Sequence, residues 1–392
     1  MDSREYIDPS TVCARSPDDP PSATAPLSPS IHLSAVYRVK GLDQIDALYE
    51  GREHGFIYAR DGHPNAAQLA AKVAALEGAE SALVCASGMG AEAAVFLSML
   101  GQGDAVALSE GLYGRSAVLV GRELARFGIE HRLFDATRPE TLREAMTPNT
   151  RLVFAETLSN PLVRLADIEG MAEVVRRAGA TLVIDHTFAP LLCRPLELGA
   201  GAVTHSGTKL IGGHSDLTLG LLAGSRALVD RASNVASTFG LTGNPFESWL
   251  ALRGLATLSL RSSRACATAL TLAERLAGHP RVRSVHYPGL ETHPDHARAA
   301  RVLKGGFGTI VTIDLGGRDQ ADAFIKALRH IPFAPSLGDV STTLSHPATT
   351  SHRAQSPEQW ARQGIGPGLI RLSIGLEAAD DLWDDLSQAL GA

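Results

Sequence analysis

The chain has 392 residues, of which 44% are apolar and 20% charged, and its formal net charge is −6. At roughly 100–200 residues per domain, this length predicts two or three domains. The negative balance, without any basic cluster, argues against recognising nucleic acid or an anionic membrane through a charged face, and no apolar run approaches the ~18 residues of a membrane-spanning helix.

The N-terminus, MDSREYIDPSTVCARSPDDPPS, is polar and acidic and has neither a signal-peptide core nor an Arg-rich transit pattern. Cys13, Cys85, Cys193 and Cys266 are widely spaced without a CxxC, so free thiols in a reducing cytoplasm are expected. Residues 1–60 read as an N-terminal arm, with a Pro-rich, extended stretch from Ser16 to Ser30. AAQLAAKVAALEG then predicts a helix closed by Gly78, SALVCAS a strand, and AEAAVFLSML a second helix after GMG. DAVALSE predicts a strand, SAVLVGRELARFG a helix closed by Gly128, RLVFAE a strand, IEGMAEVVRRAG a helix and TLVID a strand. GAVTHS and LTLGLLAG add two more strands. This alternation predicts an α/β fold with a large, doubly wound, mostly parallel sheet over residues 61–250. From 251 to 392 the rhythm changes to a smaller C-terminal α+β domain. There, the long helical run ESWLALRGLATLSLRSSRACATALTLAERLAG precedes strands SVHY, TIVTIDL and LIRLSIG, with helices QADAFIKALRH and AADDLWDDLSQALG.

The chemistry concentrates in THSGTKLIGGHSD. Ser206 and Thr208 can donate hydroxyls to a phosphate, and Lys209, one of only five lysines, can form a covalent imine if burial lowers its pKa. A solvated lysine on a polar loop is the plain alternative. Asp185 ends the strand TLVID, at the sheet edge where open α/β folds bind ligands. It can pair with a protonated ring nitrogen, or simply cap a turn. Ser87, Gly88 and Met89 join a strand to a helix start suited to an anion. The same segment matches GxGxxA over residues 88–93, and Glu110 follows about 20 residues later, a spacing that also fits a nicotinamide-dependent oxidoreductase. That reading leaves Asp185 and HSGTK unused. Tyr113 in GLYGR can stack on a planar ring. Arg371, inside the apolar strand LIRLSIG, needs an anionic partner such as a carboxylate. His293 and His296 have ligand-like spacing but no third ligand nearby, so no metal site is expected.

Several segments together resemble the Cys/Met-metabolism family of pyridoxal-phosphate enzymes: cystathionine γ-synthases and γ-lyases, methionine γ-lyases and homoserine-ester sulfhydrylases. HSGTKLIGGHSD resembles the family's HSxTKYxxGHSD, VIDHTFAP its VDNTFATP, and ETLSNPL its ETPSNP. YARDGHPN is loosely similar to YSRxxNPT, and SLGDVSTTLSHPATTSH and GLIRLSIGLE match its C-terminal signatures. The resemblance covers roughly residues 27–392 and implies fold type I, with pyridoxal 5'-phosphate as cofactor. It implies Lys209 as the imine-forming proton carrier, Asp185 on the ring nitrogen, and Tyr113 stacked on the ring and assisting proton transfer. Ser87, Gly88, Met89, Ser206 and Thr208 would hold the phosphate. Tyr58 and Arg60 would complete the phosphate site of a neighbouring subunit, which implies a homodimer at minimum and favours a homotetramer. Asn160, Ser336 and Arg371 would orient an amino-acid substrate. The implied reaction is γ-elimination or γ-replacement on a sulfur amino acid or an O-acyl- or phosphohomoserine, with β-elimination as the alternative within the family.

The chain departs from the pattern at His63, Asn65, His186 and Leu210. On the substrate side, Val118 and Ser341 stand where cystathionine-handling members have Arg and Glu. This predicts loss of the groups for cystathionine's distal end, and leaves Arg115 to replace the arginine or to recognise another anion.

Overall fold

The computed structural model describes residues 23–353 and 355–391, which excludes Cys13 and the first part of the Pro-rich stretch. Residues 23–30, within a separate N-terminal unit, contain neither helix nor strand. From Ile31 onward the chain forms one compact unit.

Alternating strands and helices build a seven-stranded sheet of β1 (Ser81–Cys85), β2 (Ala105–Ser109), β3 (Glu130–Phe134), β4 (Thr150–Glu156), β5 (Thr181–Asp185), β6 (Ala202–Ser206) and β7 (Gly220–Gly224), in the order β1-β7-β6-β5-β4-β2-β3. The strands from β3 to β6 are parallel, and β7 runs antiparallel to both β6 and β1. The middle residues of strands β2, β4, β5 and β7 are apolar and buried, as expected of a sheet covered on both faces. Helices α2 (Pro64–Glu77), α3 (Gly88–Met99), α6 (Ile168–Ala178) and α7 (Arg226–Phe239) supply that cover, and side chains such as Phe96, Val106, Leu152 and Phe154 are wholly buried between layers.

A second, antiparallel sheet carries β8 (Ser284–His286), β9 (Ile310–Asp314), β10 (Thr343–Ser345) and β11 (Leu369–Ser373), in the order β10-β11-β9-β8. Helices α10 (Arg318–Ala327) and α12 (Ala379–Gly391) pack on it around Tyr287, Ile313, Phe324 and Leu386. The long apolar run becomes one 33-residue helix, α8 (Pro245–Ala277), about 50 Å long at 1.5 Å per residue. Asn244 caps it by accepting from the Glu247 N–H, and Pro245 occupies its first turn. Gly254 lets α8 press on the large sheet's loops, since a Cβ there would stand 2.5 Å from the Ile211 carbonyl oxygen. Beside it, buried Arg261 donates to the carbonyls of Leu210, Ile211 and Gly254 at 2.7, 3.2 and 2.8 Å.

Several local expectations change. Helix α1 (Leu42–Tyr49) lies inside the stretch read as an arm. SAVLVGRELARFG is not one helix: α4 (Gly114–Val118) gives way to a π turn at Leu119–Glu123 and a 3-10 turn at Leu124–Phe127 before Gly128. The widened turn keeps both Val120 and Leu124 in the core. LTLGLLAG is a strand only from Gly220, because the Leu219 backbone is engaged by the Thr208 hydroxyl instead of the ladder. Helices α5 (Pro139–Ala145), α9 (His296–Val302) and α11 (Pro357–Gln363) and a 3-10 turn at Pro347–Thr349 complete the described elements. No helix among the described residues is long and apolar enough to cross a membrane.

Candidate active site

The carboxyl ends of the parallel strands open onto a cavity of about 220 Å³, lined from the sheet side by Ser87, Gly88, Met89, Tyr113, Asp185, Ser206, Thr208 and Lys209. From the other side, Asn160, Ser336 and Arg371 reach into the same space. Every predicted site residue except Tyr58, Arg60 and Arg115 therefore converges on one cavity.

One end of this cavity is a backbone cradle. Ser87 caps α3 by accepting from the Gly90 N–H at 3.0 Å. The first amides of a helix lack intrahelical partners, so the amides at this start of α3 favour an anion. The turn is pressed against its neighbours: a Cβ on Gly88 would stand 2.9 Å from that of Ser206, and one on Gly220 would stand 1.9 Å from the Ser87 carbonyl oxygen. Glycine is required at both positions by space.

The lysine follows β6. Its Nζ donates to Ser336 Oγ at 3.1 Å. Burial, and then the nearby Arg371 guanidinium, lower its pKa below the ordinary lysine value, which favours the neutral, nucleophilic amine. Arg371 is itself 4% exposed. It donates through Nη1 to Asn160 Oδ1 and through Nη2 to the Ser336 carbonyl, both at 2.9 Å, while its Nε is buried without a partner. Burial brings its pKa down to about 10, so it stays cationic at neutral pH. A guanidinium held at both ends around an unsatisfied donor suits a carboxylate.

Asp185 ends β5, and its Oδ1 accepts from the Thr187 N–H at 2.8 Å. Thr187 in turn accepts from the Ser206 N–H at 2.8 Å, which ties the aspartate to the lysine-bearing strand. Burial raises the Asp185 pKa against the Thr187 hydrogen bonds. Two further acids enter the cavity that sequence reasoning missed. Glu156 is the register partner of Asp185 on β4, and neighbouring strands stand about 4.8 Å apart. Glu156 accepts from the Tyr113 N–H at 2.6 Å, and burial followed by the Asp185 charge pushes its carboxyl well above the usual range. Its position at the end of an apolar strand is the same signal that singled out Asp185. Glu92, inside α3, accepts from the Ser116 hydroxyl at 2.9 Å and is 3% exposed. A lone carboxylate among alanines on a helix start could have flagged it.

The remaining expectations resolve locally. Tyr58 and Arg60 stack on each other, with the guanidinium 5.0 Å from the ring centroid, and both lie outside this cavity. Arg115 on α4 and Ser341 are exposed and Val118 is half-buried; none of the three lines the cavity. His186 is buried and kept neutral, its pKa lowered to about 4 by burial. Its Nε2 lies 3.1 Å from the Cys193 carbonyl, which can only accept, so the Thr157 hydroxyl donates to Nδ1 at 2.7 Å. The nicotinamide reading is corrected by topology. The strand before the glycine turn, β1, is an antiparallel edge strand, whereas a dinucleotide-binding turn follows a central parallel one. Glu110 lines a separate cavity and does not meet Gly88.

Comparison with known proteins bears on this geometry. Residues 10–391 match the protein family described as Cys/Met metabolism PLP-dependent enzyme. The L-methionine gamma-lyase of Pseudomonas putida is 40% identical, covering 95% of each chain. The O-succinylhomoserine sulfhydrylase of Pseudomonas aeruginosa is 42% identical over 88% of this chain and 86% of its own. The crystal structure of cystathionine gamma synthase from Xanthomonas oryzae pv. oryzae, in complex with aminoacrylate and cysteine, superposes with a TM-score of 0.88 at 38% identity, covering 93% of each chain.

Proposed function

The chain belongs to the Cys/Met-metabolism family of pyridoxal-phosphate-dependent enzymes, and on that premise we propose that Lys209, Asp185 and Arg371 are the centre of its catalytic site. The activity is pyridoxal-phosphate-dependent γ-elimination or γ-replacement on sulfur amino acids or acylhomoserines. The observation carrying the assignment of residues is that a lysine with a lowered pKa, a half-buried carboxylate at a strand end and a buried arginine share one cavity.

The donor set fits the cofactor. The start of α3 with Ser206 and Thr208 suits a phosphate, the half-buried Asp185 carboxylate suits a protonated ring nitrogen, and Tyr113 offers a ring face. When bound, pyridoxal phosphate supplies an electron sink for negative charge at the substrate Cα. Arg371 and Asn160 would hold the substrate carboxylate and so fix which Cα bond faces Lys209. The Lys209 Nζ would take the Cα proton and pass protons along the substrate chain toward the Cγ leaving group, and Ser336 would hold the amine at its start. The Tyr113 phenol, which lines the same cavity, would assist the transfer.

For the substrate, we infer a small γ-substituted amino acid, methionine or an O-acylhomoserine, attacked by a small thiol or sulfide where replacement occurs. Val118 and Ser341 stand in place of the groups for a distal amino acid, and neither lines the cavity, which supports this choice. The exposed Arg115, on the first turn of α4, is assigned to an anionic substituent. Tyr58 and Arg60 are assigned to a neighbouring copy's phosphate, which requires a homodimer at minimum and favours a homotetramer. The exposure of Val36, which pairs with Tyr58, supports such a contact. Free thiols at Cys85, Cys193 and Cys266 support a reducing, cytoplasmic setting.

The test is to offer methionine, O-succinylhomoserine and cystathionine separately, with and without sulfide, while measuring 2-oxobutanoate and ammonia. Turnover of methionine or the homoserine ester above that of cystathionine is expected. Preference for cystathionine would overturn the substrate assignment. Borohydride labelling of any lysine other than Lys209 would overturn the catalytic one.

A further inference from the structure

Glu92 has no part in the roles above, yet it lies where a carboxyl is costly. Its neighbours Gly90, Ala91, Ala94, Val95 and Phe96 on α3 are all buried, and Glu92 is itself 3% exposed, so its carboxyl is withdrawn from solvent. One oxygen accepts from Ser116, while Oε2 is buried without a partner. No cationic group is among the ion-pair partners of Glu92 in the described residues. A lone ionised carboxylate in such surroundings is unfavourable by several kcal/mol, and it responds by holding its proton. Glu92 lines the same cavity as Asp185, one helical turn beyond the anion-suited amides of Gly88 and Met89.

Resting on the assignment of Asp185 to the ring nitrogen, we propose that Glu92 is a positioning residue for that subsite. It carries the proton that lets Asp185 remain the single negative charge there at neutral pH, and on ionising it adds a second. Burial and then the Asp185 charge push the Glu92 carboxyl up to about 8, against the Ser116 hydrogen bond, which is consistent with this division.

The groups around Glu92 are few. Asp185 and Glu156 face it with carboxyls from β5 and β4. Tyr113 and Ser116 come from the start of α4, and His205 on β6 acts on Asp185. Lys209 and Arg371 stand across the cavity. On α7, which packs against α3, Arg226, Asp230 and Arg231 are exposed. Of these charges it is the Asp185 carboxylate that acts on Glu92, so its ionisation is felt chiefly through the Asp185 subsite.

The experiment follows the visible absorption of the bound cofactor, without substrate, across neutral and alkaline pH in the parent holoenzyme, Glu92→Gln and Glu92→Asp. The carboxamide of Glu92→Gln keeps the Ser116 acceptor but cannot ionise. A spectral step in the region of pH 8 is expected in the parent and in Glu92→Asp and is absent from Glu92→Gln. The alkaline limb of the kcat profile should move by about one pH unit in Glu92→Gln, with KM for the amino acid unchanged. A merely structural role would lower cofactor occupancy or melting temperature in Glu92→Gln but leave the titration of its loaded molecules like the parent's, and that result overturns the proposal. Absence of any cofactor band in the parent would overturn the assignment of the cavity, and this proposal with it. An unchanged titration with a normal band overturns this proposal alone.

Discussion

Replacing Arg371 by lysine tests the carboxylate-binding reading most directly. Both guanidinium ends are already fixed, at 2.9 Å from Asn160 Oδ1 and 2.9 Å from the Ser336 carbonyl. A lysine keeps the charge but loses the planar fork, so one charge-assisted hydrogen bond to the substrate carboxylate is lost. Such a bond contributes about 1.5–3 kcal/mol, or roughly 10- to 150-fold at 1.4 kcal/mol per decade. The loss should fall mainly on KM, because Arg371 sits on β11 of the second sheet, away from the phosphate cradle. Steady-state release of 2-oxo acid from methionine or an O-acylhomoserine measures it, with the cofactor band as a control for loading. Arg371→Lys with its cofactor retained and KM within about twofold of the parent would refute a carboxylate-binding role.

Three further outcomes are expected. Gly220→Ala drives a Cβ into the Ser87 carbonyl, so it should lower the melting temperature and cofactor affinity together, whereas full cofactor occupancy in a soluble variant would contradict the packing. Asp385→Asn removes a buried carboxylate that accepts from the N–H groups of Arg329, His330 and Ile331 at 2.9, 2.9 and 3.1 Å, and urea unfolding at neutral pH should show a loss of about 1–3 kcal/mol. Although burial raises the Asp385 pKa, those backbone donors hold it below its ordinary value. The contribution is therefore complete above about pH 4 and fades as pH falls through the depressed folded value, so the parent and variant should converge in stability in acid. Arg115→Ala should lower kcat/KM for one anionic substrate selectively; an equal kcat/KM across all substrates would remove its recognition role.

The parts of the fold written in local pattern were legible. Apolar strands spaced by helices gave the large sheet, and a glycine closes each of α2 and α6 in the left-handed conformation. The direction of β7 was not legible, because LTLGLLAG reads alike in either orientation and its first residues are claimed by Thr208. The cavity's named residues were found because the family motifs carry them, with Lys209, Asp185 and Arg371 meeting from both sheets. Glu156 and Glu92 escaped because their meaning depends on neighbours distant in sequence: a register pairing with Asp185 in one case, and burial beside it in the other. Tyr58 and Arg60 illustrate a different limit, since their place within one chain is a mutual stack away from the cavity.

The grip of Arg261 on the carbonyls of Leu210 and Ile211 has a kinetic consequence. Those carbonyls immediately follow Lys209, so the main chain beneath the amine is clamped to the long helix. On the role proposed for Lys209, a proton carried from one substrate carbon to the next would travel by rotation of the lysine's four-carbon stem about a fixed pivot. The Lys209 stem is half-buried and its amine is held by Ser336, so it turns more slowly than the picosecond-to-nanosecond exchange of exposed side chains, but without any rearrangement of the main chain. The pivot thus separates the speed of the carrier from the slower breathing of the loop that bears it, and weakening it would let loop motion enter the rate.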